Sequence, residues 1–369
     1  SHHIQFIKNS NESCSGFVAE GYSKSLFGKQ PGVILTTSGP GVTNIITPLQ
    51  DAYSDGVPLI AISAQVPMNA LHTNAFQECR ATDLTKYCTK WNTMIETTTD
   101  IDDIIEEAYS ISMEPRKGPV HIDIPKDILS QETNIQLSDI YTIKKPKVYV
   151  DNPIITKPKI TELLTNAMKP VLCVGQGCNH LSQEITYFVN KYKIPVTTTI
   201  HGIGIVDETH ELSLGMCGMH GNPVANIALQ EADVIIGVGM RFDDRITGNL
   251  SLYGKNARLM SKTDKGGIIH IDNSISQIKN VKSNFRKYHL DTYKFLFQQK
   301  MTSDFFLKSM NKHIQTSNVL NKRQEWCEYL TSIKKRLTYY SPPTSKLLTS
   351  DVIKSIDKMI GNLCLDRNN

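Results

Sequence analysis

Four groups of residues in this chain have types and spacings that could do chemistry. The first is a carboxylate between an amide and a hydroxyl, Asn11-Glu12-Ser13. A carboxyl group in an apolar surrounding can keep its proton near neutral pH and act as an acid or base. Read on its own, Glu12 is better described as an exposed acid near a chain terminus. The second is Thr37-Ser38-Gly39-Pro40-Gly41-Val42-Thr43-Asn44. Its glycines permit close backbone approach, and the helix they open presents unpaired N–H groups. That suits a ligand edge or an anion, although a plain strand-to-helix turn explains the same residues more readily. The third joins Gln65-Val66-Pro67 to Asn74-Ala75-Phe76-Gln77-Glu78. An aromatic ring beside an amide after a strand fits a small-molecule pocket, and fits a packed Phe with a capping Gln equally well. The fourth pairs Gly215-Met216-Cys217-Gly218-Met219-His220-Gly221 with Gly239-Met240-Arg241-Phe242-Asp243-Asp244-Arg245. Two Arg flanking two Asp could be a surface ion network. With Gly175, Gly177 and Asp272 at neighbouring strand ends, a clamp for phosphate and ribose groups is the favoured reading.

The elements that must position these groups follow an α/β rhythm. Val33–Thr37, Pro58–Ser63 and Pro119–Ile124 are apolar runs of strand length. Helical patterns lie between them, over Val42–Tyr53 and Ile101–Ser112. Strands apolar on both faces and separated by helices predict a parallel sheet covered on two sides. The rhythm resumes with strands Val171–Val174, Pro195–Thr199, Val234–Val238 and Ile268–Asp272, and with helices Ser182–Tyr192 and Pro223–Glu231. This second set predicts an independent doubly wound domain with Ile268–Asp272 as its last strand. Ile4–Ile7 reads as an opening strand, and 283–323 as a domain end plus an inserted stretch of little clear period. Glu325–Asn369 is helical in pattern, with Ser350 a cap for a helix through Met359. The division expected is 1–141, a Lys/Pro/Asp-rich linker at 142–159, a central domain at 160–310, and a helical extension at 311–369 that starts a further domain.

Composition narrows the function classes. The 369 residues are 40% hydrophobic and 21% charged, with a net charge of +4, which is ordinary for a globular protein. No basic stripe with interleaved aromatics argues for nucleic acid. No apolar run is long enough to cross a bilayer, so no membrane role is expected. The eight cysteines form no CxxC pair and no zinc spacing, so they read as free thiols and no metal site is expected among these residues. A cytoplasmic location follows, the alternative being an organelle leader upstream of Ser1.

Taken in order, NE…AEGY, TSGPGVTN, QVP…NAFQE, PRKGPVHIDIPKD, VGQG, LGMCGMHG and GMRFDDRITG resemble the catalytic subunit of acetolactate synthase (acetohydroxyacid synthase), a thiamine-diphosphate enzyme family. The resemblance runs from about Phe6 to Asn280. It implies a pyrimidine-binding domain followed by an FAD-binding, Rossmann-like central domain. Glu12 falls on the family's cofactor-activating glutamate, expected to be a buried carboxyl of raised pKa that shares a proton with the pyrimidine ring. Pro40, Gly41 and Asn44 would line the pyrimidine site or its dimer contact. Phe76, Gln77 and Lys126 would face the substrate channel. Arg116, Gly175, Gly177, Thr199, Met219, His220, Gly239, Arg241, Asp243, Arg245 and Asp272 match positions that hold FAD, which is structural in this family's net reaction. The implied activity decarboxylates pyruvate and joins the two-carbon unit to pyruvate or 2-ketobutyrate, in a homodimer or tetramer with the option of a regulatory subunit.

Departures from the family pattern are also legible. Asn11 and Ser13 flank Glu12 where the family has His and Gln, Lys117 stands for a Pro, and Asn74 for an Asp. No Gly-Asp-Gly with a downstream Asn follows, so the Mg²⁺ and diphosphate ligands are expected in a third domain that this stretch lacks. The first domain's opening strand and helix are also expected to be absent. The sequence therefore reads as part of an enzyme, inactive alone. The alternatives are a non-catalytic truncated paralogue or a thiamine-dependent decarboxylase or oxidase of the pyruvate oxidase type.

Overall fold

The computed structural model describes residues 5–132, 158–288, 295–314, 318–337 and 346–366. The expected linker at 142–159 lies almost wholly outside the described residues. The first unit contains α1 (Glu12–Ser25), β1 (Gly32–Thr36), α2 (Pro40–Asp55), β2 (Leu59–Gln65), α3 (Ala81–Thr85), β3 (Trp91–Met94), α4 (Ile101–Met113), β4 (Pro119–Pro125) and α5 (Lys126–Leu129). The second contains α6 (Pro158–Asn166), β5 (Pro170–Val174), α7 (Ser182–Tyr192), β6 (Val196–Thr198), β7 (Ser213–Met216), α8 (Pro223–Glu231), β8 (Val234–Val238), α9 (Asp244–Thr247), α10 (Lys255–Ser261), β9 (Gly267–Asp272), α11 (Ile275–Lys287), β10 (Leu296–Lys300), α12 (Ser303–His313) and α13 (Leu320–Arg336). Helix α14 (Thr349–Asp366) follows.

Both sheets are wholly parallel, in orders β1-β2-β4-β3 and β10-β9-β8-β5-β6-β7. This is the two-sheet α/β architecture read from the apolar runs. The central strands β5 and β8 are buried at every residue, which is why their sequences show no alternation. Order reverses between β5 and β8, so the loops after those strands diverge and leave a crevice at their carboxyl ends.

Three strands escaped the sequence reading: β3, β7 and β10. All lie at sheet edges, where burial of a single face leaves only a weak pattern. Strand β10 corrects the expectation that Ile268–Asp272 ends the sheet: Leu296–Lys300 pairs beside it in register. Residues 5–7 of the expected opening strand form no strand. Helix α13, read as part of a helical extension, packs into the second core through Trp326, Cys327, Leu330 and Ile333. Its Arg323 is fully buried and donates to the carbonyls of Leu164, Ala167 and Tyr192, at the ends of α6 and α7. Among the described residues, no helix is long and apolar enough to cross a membrane.

Candidate functional site

Helix α2 connects two candidate sites. It starts at Pro40, directly after Gly39, whose φ of 58° suits glycine. It ends on Gly56, a left-handed cap at φ 71°. Pro48 inside it seats against Gly16 of α1, where a Cβ would lie 2.3 Å from the proline ring. That contact draws the two helix starts together. Asn11 caps α1 by accepting from Ser13 N at 2.8 Å, and Ser13 Oγ donates to Asn44 O at 2.5 Å. Asn44 Nδ2 in turn donates to Glu12 Oε2 at 2.9 Å.

The expected raised pKa of Glu12 is not what this geometry gives. Its side chain is only partly covered, and the Asn44 amide together with a backbone N–H holds it below the ordinary glutamate value. Burial would push the other way, but one face of α1 is open to solvent.

Gln77 belongs to the same end of the first sheet. A Cβ on Gly39 would sit 2.8 Å from the Gln77 carbonyl, so the 66–80 loop packs on the Gly39 turn. Met68 N donates to Asp127 Oδ1 at 3.2 Å, which brings the start of α5, and with it Lys126, to that loop. Glu12, Pro40, Gly41, Asn44, Phe76, Gln77 and Lys126 thus gather at the carboxyl ends of β1, β2 and β4. Phe76 is 89% exposed, and Lys126 is exposed too.

The other end of α2 meets the second unit across a cavity of about 600 Å³. Arg116, Gly177, Thr199, Gly239, Arg241, Asp243, Arg245 and Asp272 all line it. Three further expected residues do not. Gly175 lies behind the wall, where a Cβ would be 2.3 Å from Gly239 O, so its role is to let two backbones touch. Met219 and His220 are exposed on the neighbouring turn. Met219 joins the rim through Arg245, whose carbonyl accepts from Met219 N at 2.7 Å and whose guanidinium lies 3.3 Å from the Met219 sulfur.

The cavity is predominantly cationic. Arg116 and Arg241 both donate to Ser54 O at the carbonyl end of α2, and Arg241 also pairs with Asp243 at 3.4 Å. Burial, reinforced by Arg241, lowers the Arg116 pKa. Asp55 is held well below the carboxylate range by His201, whose Nε2 is 3.3 Å away, and by Lys24 at 3.1 Å. Asp272 behaves oppositely: burial raises it to about 6 against the pull of Ser274 N and Arg116. Ser54, Asp55, His201 and Lys24 went unnoticed in the sequence. Each is a polar residue at an element end: α1 packing on α2 brings Lys24 to Asp55, and the packing of α2 on the second unit adds His201.

These features fit a dinucleotide. Gly177 and Gly239 approach so closely that a Cβ on either would meet the other's backbone within 2.9 Å. Guanidinium forks suit phosphates, and a carboxylate at a strand end suits a ribose hydroxyl.

Both units have counterparts among known proteins. Residues 1–85 match the family described as thiamine pyrophosphate enzyme, N-terminal TPP binding domain, and residues 158–288 match its central domain. The chain belongs to the thiamine pyrophosphate enzymes. It is 37% identical to a mitochondrial acetolactate synthase of Schizosaccharomyces pombe, over 98% of this chain and 54% of that protein. It is 36% identical to the mitochondrial catalytic subunit of Saccharomyces cerevisiae, over 96% and 51%. The large subunit of Lactococcus lactis is 35% identical over 96% and 58%. The chain spans about half the length of the acetolactate synthases it matches.

Proposed function

We propose that this chain supplies the pyrimidine-binding and flavin-binding parts of an acetolactate synthase, which decarboxylates pyruvate and joins the two-carbon unit to a second 2-keto acid. The observation that carries the reading is the Glu12 carboxylate, held by Asn44 at the head of α2 beside the Gly39–Gly41 turn. Thiamine diphosphate, when bound, supplies the carbon nucleophile and the sink for the electrons that decarboxylation releases. Glu12 holds or passes a proton at the pyrimidine ring, and Asn44 keeps its carboxylate turned toward the turn. Gln77 and Phe76 border the substrate, and the Lys126 ammonium attracts its carboxylate. Arg116, Arg241 and Arg245 would hold the FAD diphosphate, with Asp272 on a ribose hydroxyl. Mg²⁺ belongs with diphosphate ligands outside the described residues.

A second copy of the chain is part of this reading. Phe17, Val18 and Tyr22 of α1 and Val33 and Leu35 of edge strand β1 are all exposed, an apolar face beside Glu12 that a homodimer would cover. Covering that face would also desolvate Glu12 and raise its pKa. A tetramer and a regulatory subunit are further options for the parent. The seven cysteines found free among the described residues suit a reducing compartment, here the cytoplasm.

The test has two parts. Purified chain is titrated with FAD and followed by flavin fluorescence, with saturable quenching expected in the wild type and lost in Arg241→Ala. Full-length protein given pyruvate, thiamine diphosphate and Mg²⁺ is assayed for acetolactate, with Glu12→Gln expected to abolish product. Normal turnover by Glu12→Gln would refute the proposal.

A further inference from the structure

A buried polar chain runs across the first sheet, and none of the proposed site residues belongs to it. Ser63 and Gln65 on β2, His121 and Asp123 on β4, and Thr85 on α3 are all buried. Thr85 Oγ1 is 3.0 Å from His121 Nδ1, and His121 Nε2 is 2.8 Å from Ser63 Oγ. Ser63 Oγ is 2.5 Å from Asp123 Oδ1, and Gln65 Nε2 is 2.8 Å from Asp123 Oδ2. The same Gln65 amide donates to Cys79 O at 2.8 Å, while its own carbonyl accepts from Val66 N at 2.9 Å. Asn92 on β3 donates to Thr85 Oγ1 at 2.8 Å.

Counting donors fixes the direction of this chain. Burial raises the Asp123 pKa, and the bonds from Ser63 and Gln65 oppose it; with its carboxylate ionised Asp123 only accepts, so the single Ser63 proton points at Asp123. Ser63 must then accept from His121, whose proton sits on Nε2. Nδ1 is left as an acceptor, and the Thr85 hydroxyl supplies it in preference to Ala81 O, also 3.0 Å away. With Ser63 and Gln65 both donating into Asp123, the Gln65 amide has only one satisfied orientation. Its second N–H is thereby aimed at Cys79.

Cys79 closes the loop that carries Phe76 and Gln77. Two residues before it, the Gln77 carbonyl lies so close to the turn that a Cβ on Gly39 would be 2.8 Å away. The anchor therefore sits where this loop meets the turn at the head of α2.

We infer that Gln65 is a positioning residue: Asp123, the terminal acceptor of a one-directional hydrogen-bond chain, orients its amide to pin the Phe76–Gln77 loop onto the Gly39 turn. The bearing on substrate rests on the proposed function, whereas the pinning of the loop does not.

The first readout is the histidine ring ¹⁵N spectrum of the full chain, with His121 identified by its loss in His121→Gln. The wild type is expected to show a neutral Nε2–H ring. Asp123→Asn keeps the shape but donates to Ser63, so the Ser63 proton turns to His121 and the ring proton moves to Nδ1. The second readout is the alkylation rate of Cys79, followed by peptide mass spectrometry. Gln65→Leu should raise it about tenfold through loss of the anchoring bond, while Ser63→Ala should leave it within about twofold.

A wild-type Nδ1–H or charged ring would overturn the inference, as would an unchanged Cys79 rate in Gln65→Leu. If Gln65→Leu fails to fold, the tautomer reversal in isosteric Asp123→Asn decides alone. In the full-length enzyme, the released loop should raise KM for pyruvate more than it lowers kcat. A loosened loop with unmoved KM and kcat would leave the pinning standing and remove Phe76 and Gln77 from the substrate site.

Discussion

Replacing Arg323 by Leu should destabilise the second unit by about 3–5 kcal/mol, the usual cost of stranding one side of a buried charged arrangement. The guanidinium is wholly buried and meets Leu164 O at 2.5 Å, Ala167 O at 2.8 Å and Tyr192 O at 3.0 Å. All three carbonyls lie where α6 and α7 run out of intrahelical donors. Each bond to a charged donor is worth about 1.5–3 kcal/mol, and the cost of keeping the cation dry removes part of that total. Burial lowers the Arg323 pKa to about 10 against the attraction of Asp233, so it is charged at neutral pH. Leu fills the stem's volume but leaves the three carbonyls without partners. Thermal unfolding followed by Trp326 fluorescence is the assay, because Trp326 lies one turn away and is itself buried. The midpoint temperature should fall by about 10–15 °C for a unit of this size. Arg323→Lys, with a single ammonium and no fork, should lie between the two. A loss under about 1 kcal/mol in Arg323→Leu would refute the view that this side chain caps two helices at once.

Asp272→Asn should change how stability responds to acid. Asp272 titrates at about 6 in the folded chain against an ordinary 3.8, so the native state binds its proton first and gains up to about 3 kcal/mol as pH falls through that window. His270, lowered by burial from 6.5 to about 4, works in reverse: its contribution is intact above 6.5 and lost as pH falls toward 4. Melting curves between pH 7 and 4 should show a steeper acid loss in Asp272→Asn than in wild type; parallel curves would contradict this. Gly239→Ala places a Cβ 2.8 Å from Gly177 Cα at a φ of 60°, costing about 1–3 kcal/mol, and should abolish saturable FAD quenching. Asn44→Ala removes the strongest influence lowering Glu12, so carboxyl ¹³C titration should find the Glu12 pKa shifted upward.

How legible a feature was in the sequence depended on how local its cause is. Strands β5, β8 and β9 are buried on both faces, so unbroken runs such as Val234–Val238 and Ile268–Asp272 announced them. Strand β10, Leu-Phe-Gln-Gln-Lys at the sheet's edge, offers no such run and was missed. The Gly39–Gly41 turn was legible because glycine and proline restrict the backbone locally. Asp55 and His201 are far apart in sequence and meet only when two units dock. The same is true of Gln65, Asp123 and His121, whose shared polar chain runs between strands distant in sequence. The pKa of Glu12 was misjudged because it depends on one neighbouring amide and an open helix face, neither visible in the residues beside it.

Helix α2 has one further consequence. Its 16 residues make a rod of about 24 Å, with Asn44 near one tip and Ser54 and Asp55 at the other. A hydrogen-bonded helix barely compresses along its axis, so whatever shifts the Arg241 and His201 seat must push or tilt the end that steadies Glu12. The proline wedged into Gly16 makes α1 travel with it. A group lodged between the two units would therefore serve as a shim that sets the standing height of an acid about 15 Å along the rod.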